Sequence, residues 1–111
     1  MTTKEIRTYD GEIVDHNVRY TLREVCEICG VHAEFVMEMV AHGIVEPHGA
    51  APQRWSFHLH DVQRARRAVR LLHDLELNLP GASLSLDLLD EIDALRARVR
   101  RLERELSLLT G

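Results

Sequence analysis

A strict heptad pattern at the C-terminal end constrains the fold of this chain more than any other feature of the sequence. Apolar residues recur there at alternating spacings of four and three residues: Leu88, Ile92, Leu95, Val99, Leu102, Leu106 and Leu109. An apolar period of 3.5 residues that persists over three heptads is typical of a coiled-coil seam. The sequence therefore predicts a long helix from about Ser85 to Thr110.

The composition of this seam also predicts self-association. Ile92 and Val99 are β-branched and share one set of seam positions, whereas leucines fill the other set. This combination favours a parallel two-stranded coiled coil, so we expect a homodimer. The alternative is that the same stripe folds back onto a preceding helix, over residues 62–72, in a monomer.

Composition bounds the rest of the molecule. The chain has 111 residues, 45% of them hydrophobic and 29% charged, which is the balance of a short globular domain with a helical appendage. No apolar run reaches the roughly 20 residues that a membrane span requires. The two cysteines and the absence of an N-terminal secretion signal favour the cytoplasm. The net charge of −4 argues mildly against nucleic acid as the main partner.

Two short helices with a tight turn are predicted near the start. Thr21 and Glu24 have the spacing of a capping box, and Gly30 suits the left-handed residue after a helix. A second helix is predicted from Ala33 to about His42, with Gly43 at its end. Two such helices joined by a glycine-containing turn make a helix-turn-helix.

The segment that follows predicts a wing and a third helix. Residues 44–58 combine an extended exit, a loop and a strand with period-two alternation, and they read as a short wing hairpin. A helix is predicted from Asp61 to Glu76, and Pro80 with Gly81 is expected to break the chain before the last helix. The predicted fold is therefore mainly α, a winged helix-turn-helix with a long C-terminal coiled-coil-type helix.

We divide the chain accordingly into three parts. Residues 1–20 form an arm or a small hairpin around Asp10-Gly11, residues 21–82 the winged domain, and residues 83–111 the heptad helix.

No constellation of residues predicts an enzyme, a metal site or a cofactor site. Cys26 and Cys29 form a single C-x-x-C within a helix, and no second pair exists to complete a zinc site. His48, His58 and His60 could in principle add ligands to the cysteines, but their spacing matches no zinc finger. The other histidines are scattered, and no nucleophile–base arrangement or phosphate loop is present. We expect the cysteines to pack as small apolar residues.

The second helix has the wrong charge for reading DNA. Glu34 and Glu38 lie four residues apart on its outer side, where phosphates would repel them. Its buried face is predicted to contain Ala33, Val36, Met37 and Val40. Phe35 and Met39 form another apolar stripe, which belongs either to the core or to a partner-binding surface. The pattern favours a protein partner with a basic, partly apolar surface over a specific DNA site.

Several motifs resemble known families. Gly30-Val31, the run GIVEP over residues 43–47, Arg54-Trp55 and Asp61-Val62 follow, in order and spacing, the pattern of MerR-type domains. Residues 64–82, with their Leu-Pro-Gly exit, and residues 86–92, which lead into the leucine-spaced tail, are similar to the chaperone modulator CbpM family. The MerR resemblance implies antiparallel pairing of the terminal helices, so the orientation of the dimer stays open.

The resemblance to CbpM proteins implies a function. Those proteins bind the J-domain of CbpA, a DnaJ-like co-chaperone, and restrain its work with the chaperone DnaK. A J-domain of this kind presents a basic helix, which an acidic helix-turn-helix would complement. The candidate residues for binding this partner are Glu24, Glu27, Glu34, Glu38, Glu46, Phe35 and Met39. The alternative is a MerR-type transcriptional regulator that grips phosphates with the arginines of residues 54–70.

Overall fold

The computed structural model describes residues 18–110, and the predicted hairpin at Asp10-Gly11 lies outside them. Four helices and two short strands follow in the order β1 (Tyr20–Thr21), α1 (Leu22–Cys29), α2 (Ala33–Ala41), β2 (Ser56–Phe57), α3 (Leu59–Asp74) and α4 (Leu79–Thr110). A short 3-10 turn, Pro52–Arg54, precedes β2. The mainly helical architecture predicted from the sequence is confirmed.

The helix-turn-helix forms as its local sequence predicts. The Thr21 hydroxyl accepts the Glu24 backbone N–H at 3.1 Å, and the Glu24 carboxylate accepts the Thr21 N–H at 2.9 Å. This capping box satisfies backbone groups that the first turn of α1 leaves without helical partners. Gly30 ends α1 with a φ of 68°, a left-handed conformation that glycine adopts without a steric penalty.

The wing closes onto the start of the domain. β1 pairs antiparallel with β2, so that Tyr20 lies opposite Phe57 and Thr21 opposite Ser56. Ser56 also exchanges two backbone hydrogen bonds with His48, at 2.8 and 2.9 Å. We call residues 48–56, the loop that this bridge closes, the wing. The sequence pattern predicts a strand over residues 54–58, but β2 contains only Ser56 and Phe57, because Pro52–Arg54 forms a 3-10 turn in front of it.

The core gathers apolar side chains from every element. Phe57, Ile44, Val45 and the α1 residue Val25 are almost completely buried. α3 adds Val62, Ala65 and Ala68, and α4 adds Ala82 and Leu86. The domain is therefore completed by the first turns of the C-terminal helix, and the predicted division after residue 82 falls inside α4.

The inward face of α2 differs from the prediction. Val36 and Met39 are fully buried, whereas Ala33 is exposed and Met37 and Val40 are only half-buried. The helix is amphipathic over fewer than three turns, so neighbouring stripes have similar apolar content. Packing against the other elements, which the local pattern does not encode, selects the stripe that turns inward.

The last helix begins six residues earlier than predicted. Pro80 and Gly81 lie in its first turn, where a missing backbone N–H costs nothing because that group has no helical partner. The side chain of Asn78 accepts the Gly81 N–H at 2.8 Å and caps the helix. The break that the sequence predicts lies just upstream, where Glu76 has a φ of 52°.

Beyond Leu86, α4 leaves the domain. Every residue from 90 to 110 is exposed, including the apolar seam. The exposed fractions of the seam side chains run from 42% at Ile92 to 84% at Leu109. The stripe is thus not folded back onto α3, which excludes the intramolecular alternative in this structure.

Candidate partner-binding surfaces

The outer side of α2 presents two carboxylates. Glu34 and Glu38 are both exposed and lie one helical turn apart, and neither forms an ion pair within residues 18–110. We call this pair the acidic face of α2. Glu46 is also exposed, in the extended segment that leaves the helix-turn-helix.

The two glutamates of α1 are placed differently. The Glu24 carboxylate is used in the capping box of α1. Glu27 lies 3.5 Å from Arg23 in an exposed pair one turn apart, a contact that contributes little to stability. Among the predicted partner-binding residues, the acidic face of α2 and Glu46 are therefore the carboxylates with the fewest intramolecular contacts.

The apolar part of the predicted surface needs a correction. Met39 has no exposed surface and belongs to the core cluster, so it is not available to a partner in this fold. Phe35 is half-buried and packs against the same cluster. Of the two, only Phe35 adds apolar area beside the acidic face of α2.

A cleft of about 610 Å³ opens between the starts of α1 and α2 and the wing. Its apolar lining comes from Leu22, Cys26, Val31, Ala33, Pro52 and Trp55.

The two cysteines of α1 have raised pKa values. Burial raises the pKa of the Cys26 thiol, and it raises the pKa of Cys29 to about 11 although Arg66 opposes the shift. Both free thiols therefore stay protonated at neutral pH, which makes them poor nucleophiles.

Arg64 forms a clasp that sequence reasoning missed. Its Nε donates to the carbonyl of Ile44 at 2.6 Å, one guanidinium nitrogen donates to Asp87 at 2.6 Å, and the other contacts Asp90. The Arg64 side chain is only 11% exposed. The sequence feature that could have indicated this contact is the pair Asp87 and Asp90. These carboxylates are three residues apart and therefore lie on one side of α4, where a single arginine can reach both.

This clasp bears on the alternative function. The sequence placed Arg64 in a stretch of arginines that could grip phosphates, but its guanidinium already contacts one carbonyl and two carboxylates. The arginine with the best-defined contacts in that stretch is therefore a structural residue that joins three elements of the domain.

The seam of α4 is the second candidate surface. A shallow groove of about 390 Å³ runs along its middle, lined by Ile92, Leu95, Arg96, Val99, Arg100 and Glu103. Contiguous exposed apolar side chains rimmed by charged ones are typical of an interaction surface. The part of the chain that the structure describes contains nothing that covers it, and it contains no group of three or more potential metal ligands.

Comparison with known proteins identifies the family. Residues 20–104 match the family described as MerR HTH family regulatory protein. The chain is 37% identical over 102 residues to the chaperone modulatory protein CbpM of Coxiella burnetii (strain Dugway 5J108-111), which covers 92% of this chain and 94% of that protein. The chain belongs to the CbpM family.

Relatives from another genus agree with this assignment. The chaperone modulatory proteins CbpM of Pseudomonas putida (strain W619) and Pseudomonas entomophila (strain L48) are each 39% identical over 93 residues, covering 84% of this chain and 92% of the relative. The resemblance inferred from the sequence motifs is thus confirmed. Within residues 18–110, no helix has the length and apolarity needed to cross a membrane.

Proposed function

We propose that this CbpM-family protein is a non-enzymatic, cytoplasmic modulator that binds the J-domain of a CbpA-type DnaJ-like co-chaperone and inhibits its activity with DnaK. The observation that carries the proposal is the acidic face of α2, two exposed carboxylates without an ion-pair partner in the described part of the chain. Membership of a family named for chaperone modulation supports it.

The chemistry of this face fits a basic partner helix. Glu34 and Glu38 can each meet a lysine or arginine, and the half-buried Phe35 lies next to Glu34 in the chain. Most charged contacts at the rim of an interface mainly change the association rate and its salt dependence. When a charged pair is fully dehydrated in the complex, removing one of its partners lowers the binding free energy by about 2 kcal/mol or more. We infer that one or two such pairs dominate the energy.

Charge reversal tests the proposal. We expect Glu34→Lys with Glu38→Lys to weaken binding to a purified CbpA J-domain at low salt by roughly tenfold or more, which corresponds to about 1.4 kcal/mol. The measurement is isothermal titration calorimetry. A matched control reverses two exposed carboxylates elsewhere, Glu76→Lys with Asp93→Lys, and should bind like the native chain.

Two results would contradict the proposal. Equal affinity of the Glu34/Glu38 variant and the native chain would move the binding site away from α2. Failure of the native chain to bind the J-domain at all would remove the partner itself.

We also propose that two copies pair through the seam of α4. The seam side chains are about half exposed or more, a large apolar area for a single chain to leave in water. In a parallel pair, Glu91 would face Arg96 of the second copy and Arg98 would face Glu103, and both contacts are attractive. Each such exposed pair contributes only about 0.5 kcal/mol, so the apolar seam supplies most of the association energy.

Sedimentation over a hundredfold range of concentration tests the pairing. We expect the native chain to shift towards a dimer, and Leu95→Asp with Leu102→Asp to remain a monomer throughout. Ala97→Asp with Ser107→Asp adds the same charge outside the seam and should pair like the native chain. A native chain that is monomeric at every concentration would exclude the dimer. Three heptads make a short seam, so the equilibrium is expected to depend strongly on concentration.

A further inference from the structure

The wing is attached to the domain by a short chain of polar side chains. Nη1 of Arg19 lies 2.9 Å from Nδ1 of His58. On the other side of the ring, Nε2 of His58 lies 3.0 Å from Nε2 of His48, and the two imidazoles meet edge to face with centroids 4.9 Å apart. These contacts join the residue that precedes β1, the residue that precedes α3, and the wing.

The donor and acceptor roles in this chain follow from the arginine. A guanidinium can only donate hydrogen bonds, so Nδ1 of His58 must accept and therefore carries no hydrogen. The hydrogen of the His58 ring is then on Nε2, which donates to Nε2 of His48. His48 must consequently carry its own hydrogen on Nδ1. All the contacts can form together only when both imidazoles are neutral.

We propose that Arg19, His58 and His48 form a proton-sensitive latch, which holds the wing on the domain when both imidazoles are neutral and releases it when either one is protonated. A proton added to His58 occupies Nδ1, where it meets an N–H of the Arg19 guanidinium and removes that hydrogen bond. A proton on His48 occupies Nε2 and faces the N–H of His58. Acidification, which protonates imidazoles, therefore opens the latch.

The backbone of His58 is held in place by Asp61. Asp61 is buried and accepts the backbone N–H groups of His58 and Glu46, each at 3.2 Å. These bonds involve the backbone of His58 and do not depend on the state of its ring. The end of the latch at α3 is therefore tied down in both states, and the part that is free to move is the wing, through the backbone bridge between His48 and Ser56.

A metal ion is a poorer explanation of the two facing nitrogens. A metal bound to Nε2 of His58 would require the ring hydrogen to move to Nδ1, where it would meet Arg19. No third ligand accompanies the pair among the described residues. The latch takes no part in the acidic face of α2, so it can be tested without any partner protein.

Nuclear magnetic resonance on the full ¹⁵N-labelled chain tests the proposal in two steps. At pH 8, long-range ¹H–¹⁵N correlations should show the hydrogen of His58 on Nε2 and that of His48 on Nδ1. Amide hydrogen exchange at His48 and Ser56, corrected for the intrinsic effect of pH, should then show protection that falls about two- to tenfold between pH 8 and pH 5. This range is expected for the loss of one net hydrogen bond.

Two variants make the result decisive. His48→Leu cannot accept the bond, so protection at Ser56 should already be low at pH 8 and should change little on acidification. His60→Gln removes an exposed histidine near the start of α3 and should keep the pH dependence of the native chain. The proposal is overturned if His48 carries its hydrogen on Nε2 at pH 8. It is equally overturned if protection at Ser56 is independent of pH, or if His48→Leu retains the native pH dependence.

Discussion

Replacing Arg64 by methionine should destabilise the domain although it leaves the apolar stem of the side chain almost unchanged. The guanidinium is nearly buried and joins the carbonyl of Ile44 to Asp87 and Asp90 of α4. Without it, that carbonyl loses a charged donor at a partly buried site, which costs about 1.5–3 kcal/mol.

The ion pairs of Arg64 with Asp87 and Asp90 contribute little to the stability of the domain. The side chains of Asp87 and Asp90 are 67% and 49% exposed, so water solvates them well when the arginine is absent. Each pair is therefore expected to contribute at most about 1 kcal/mol. The total loss expected for Arg64→Met is about 1.5–5 kcal/mol in the free energy of unfolding.

Urea unfolding followed by circular dichroism measures this loss. Arg67→Met is the matched control, because Arg67 lies on the same helix and is exposed, and it should change stability by no more than about 0.5 kcal/mol. All variants are compared at one protein concentration, since pairing through α4 would add to the apparent stability. If Arg64→Met unfolds at the same urea concentration as Arg67→Met, the clasp does not stabilise the domain and the reasoning fails.

Three other predictions follow from the described residues. Met39→Ala should lower the free energy of unfolding in urea by about 2–5 kcal/mol, because the Met39 side chain is fully buried. Met37 is only half-buried, so Met37→Ala should lower it clearly less. Equal losses for the two variants would contradict the packing of α2. The raised pKa of Cys29, about 11, keeps its thiol protonated at pH 8. Alkylation of Cys29 by iodoacetamide should therefore be slow at pH 8 and should accelerate only as the pH approaches that value. Rapid labelling of Cys29 in the folded chain at pH 8 would refute this. Selection of binding sites from random DNA duplexes at physiological salt should enrich no sequence motif, because the acidic face of α2 repels phosphates. A recovered palindrome that the protein binds at nanomolar concentration would restore the transcription-factor alternative.

Features that depend on neighbouring residues were predictable from the sequence alone. The capping box of Thr21 and Glu24 and the left-handed Gly30 form within one or two helical turns, so their chemistry is complete in the local sequence. The seam of α4 is similar, because a heptad period defines one face of a helix whatever else the chain does. The family resemblance also rests on short runs of residues in a constant order.

Only the tertiary structure decided which of several equally plausible local arrangements is used. Met39 is inside and Ala33 outside because of how α2 packs against the other elements. The contacts of Arg64 and of the latch histidines join residues that are from 10 to 39 positions apart in the chain. Charge and polarity along the sequence show which of these side chains need partners, but only the packing of distant elements brings a particular partner within reach.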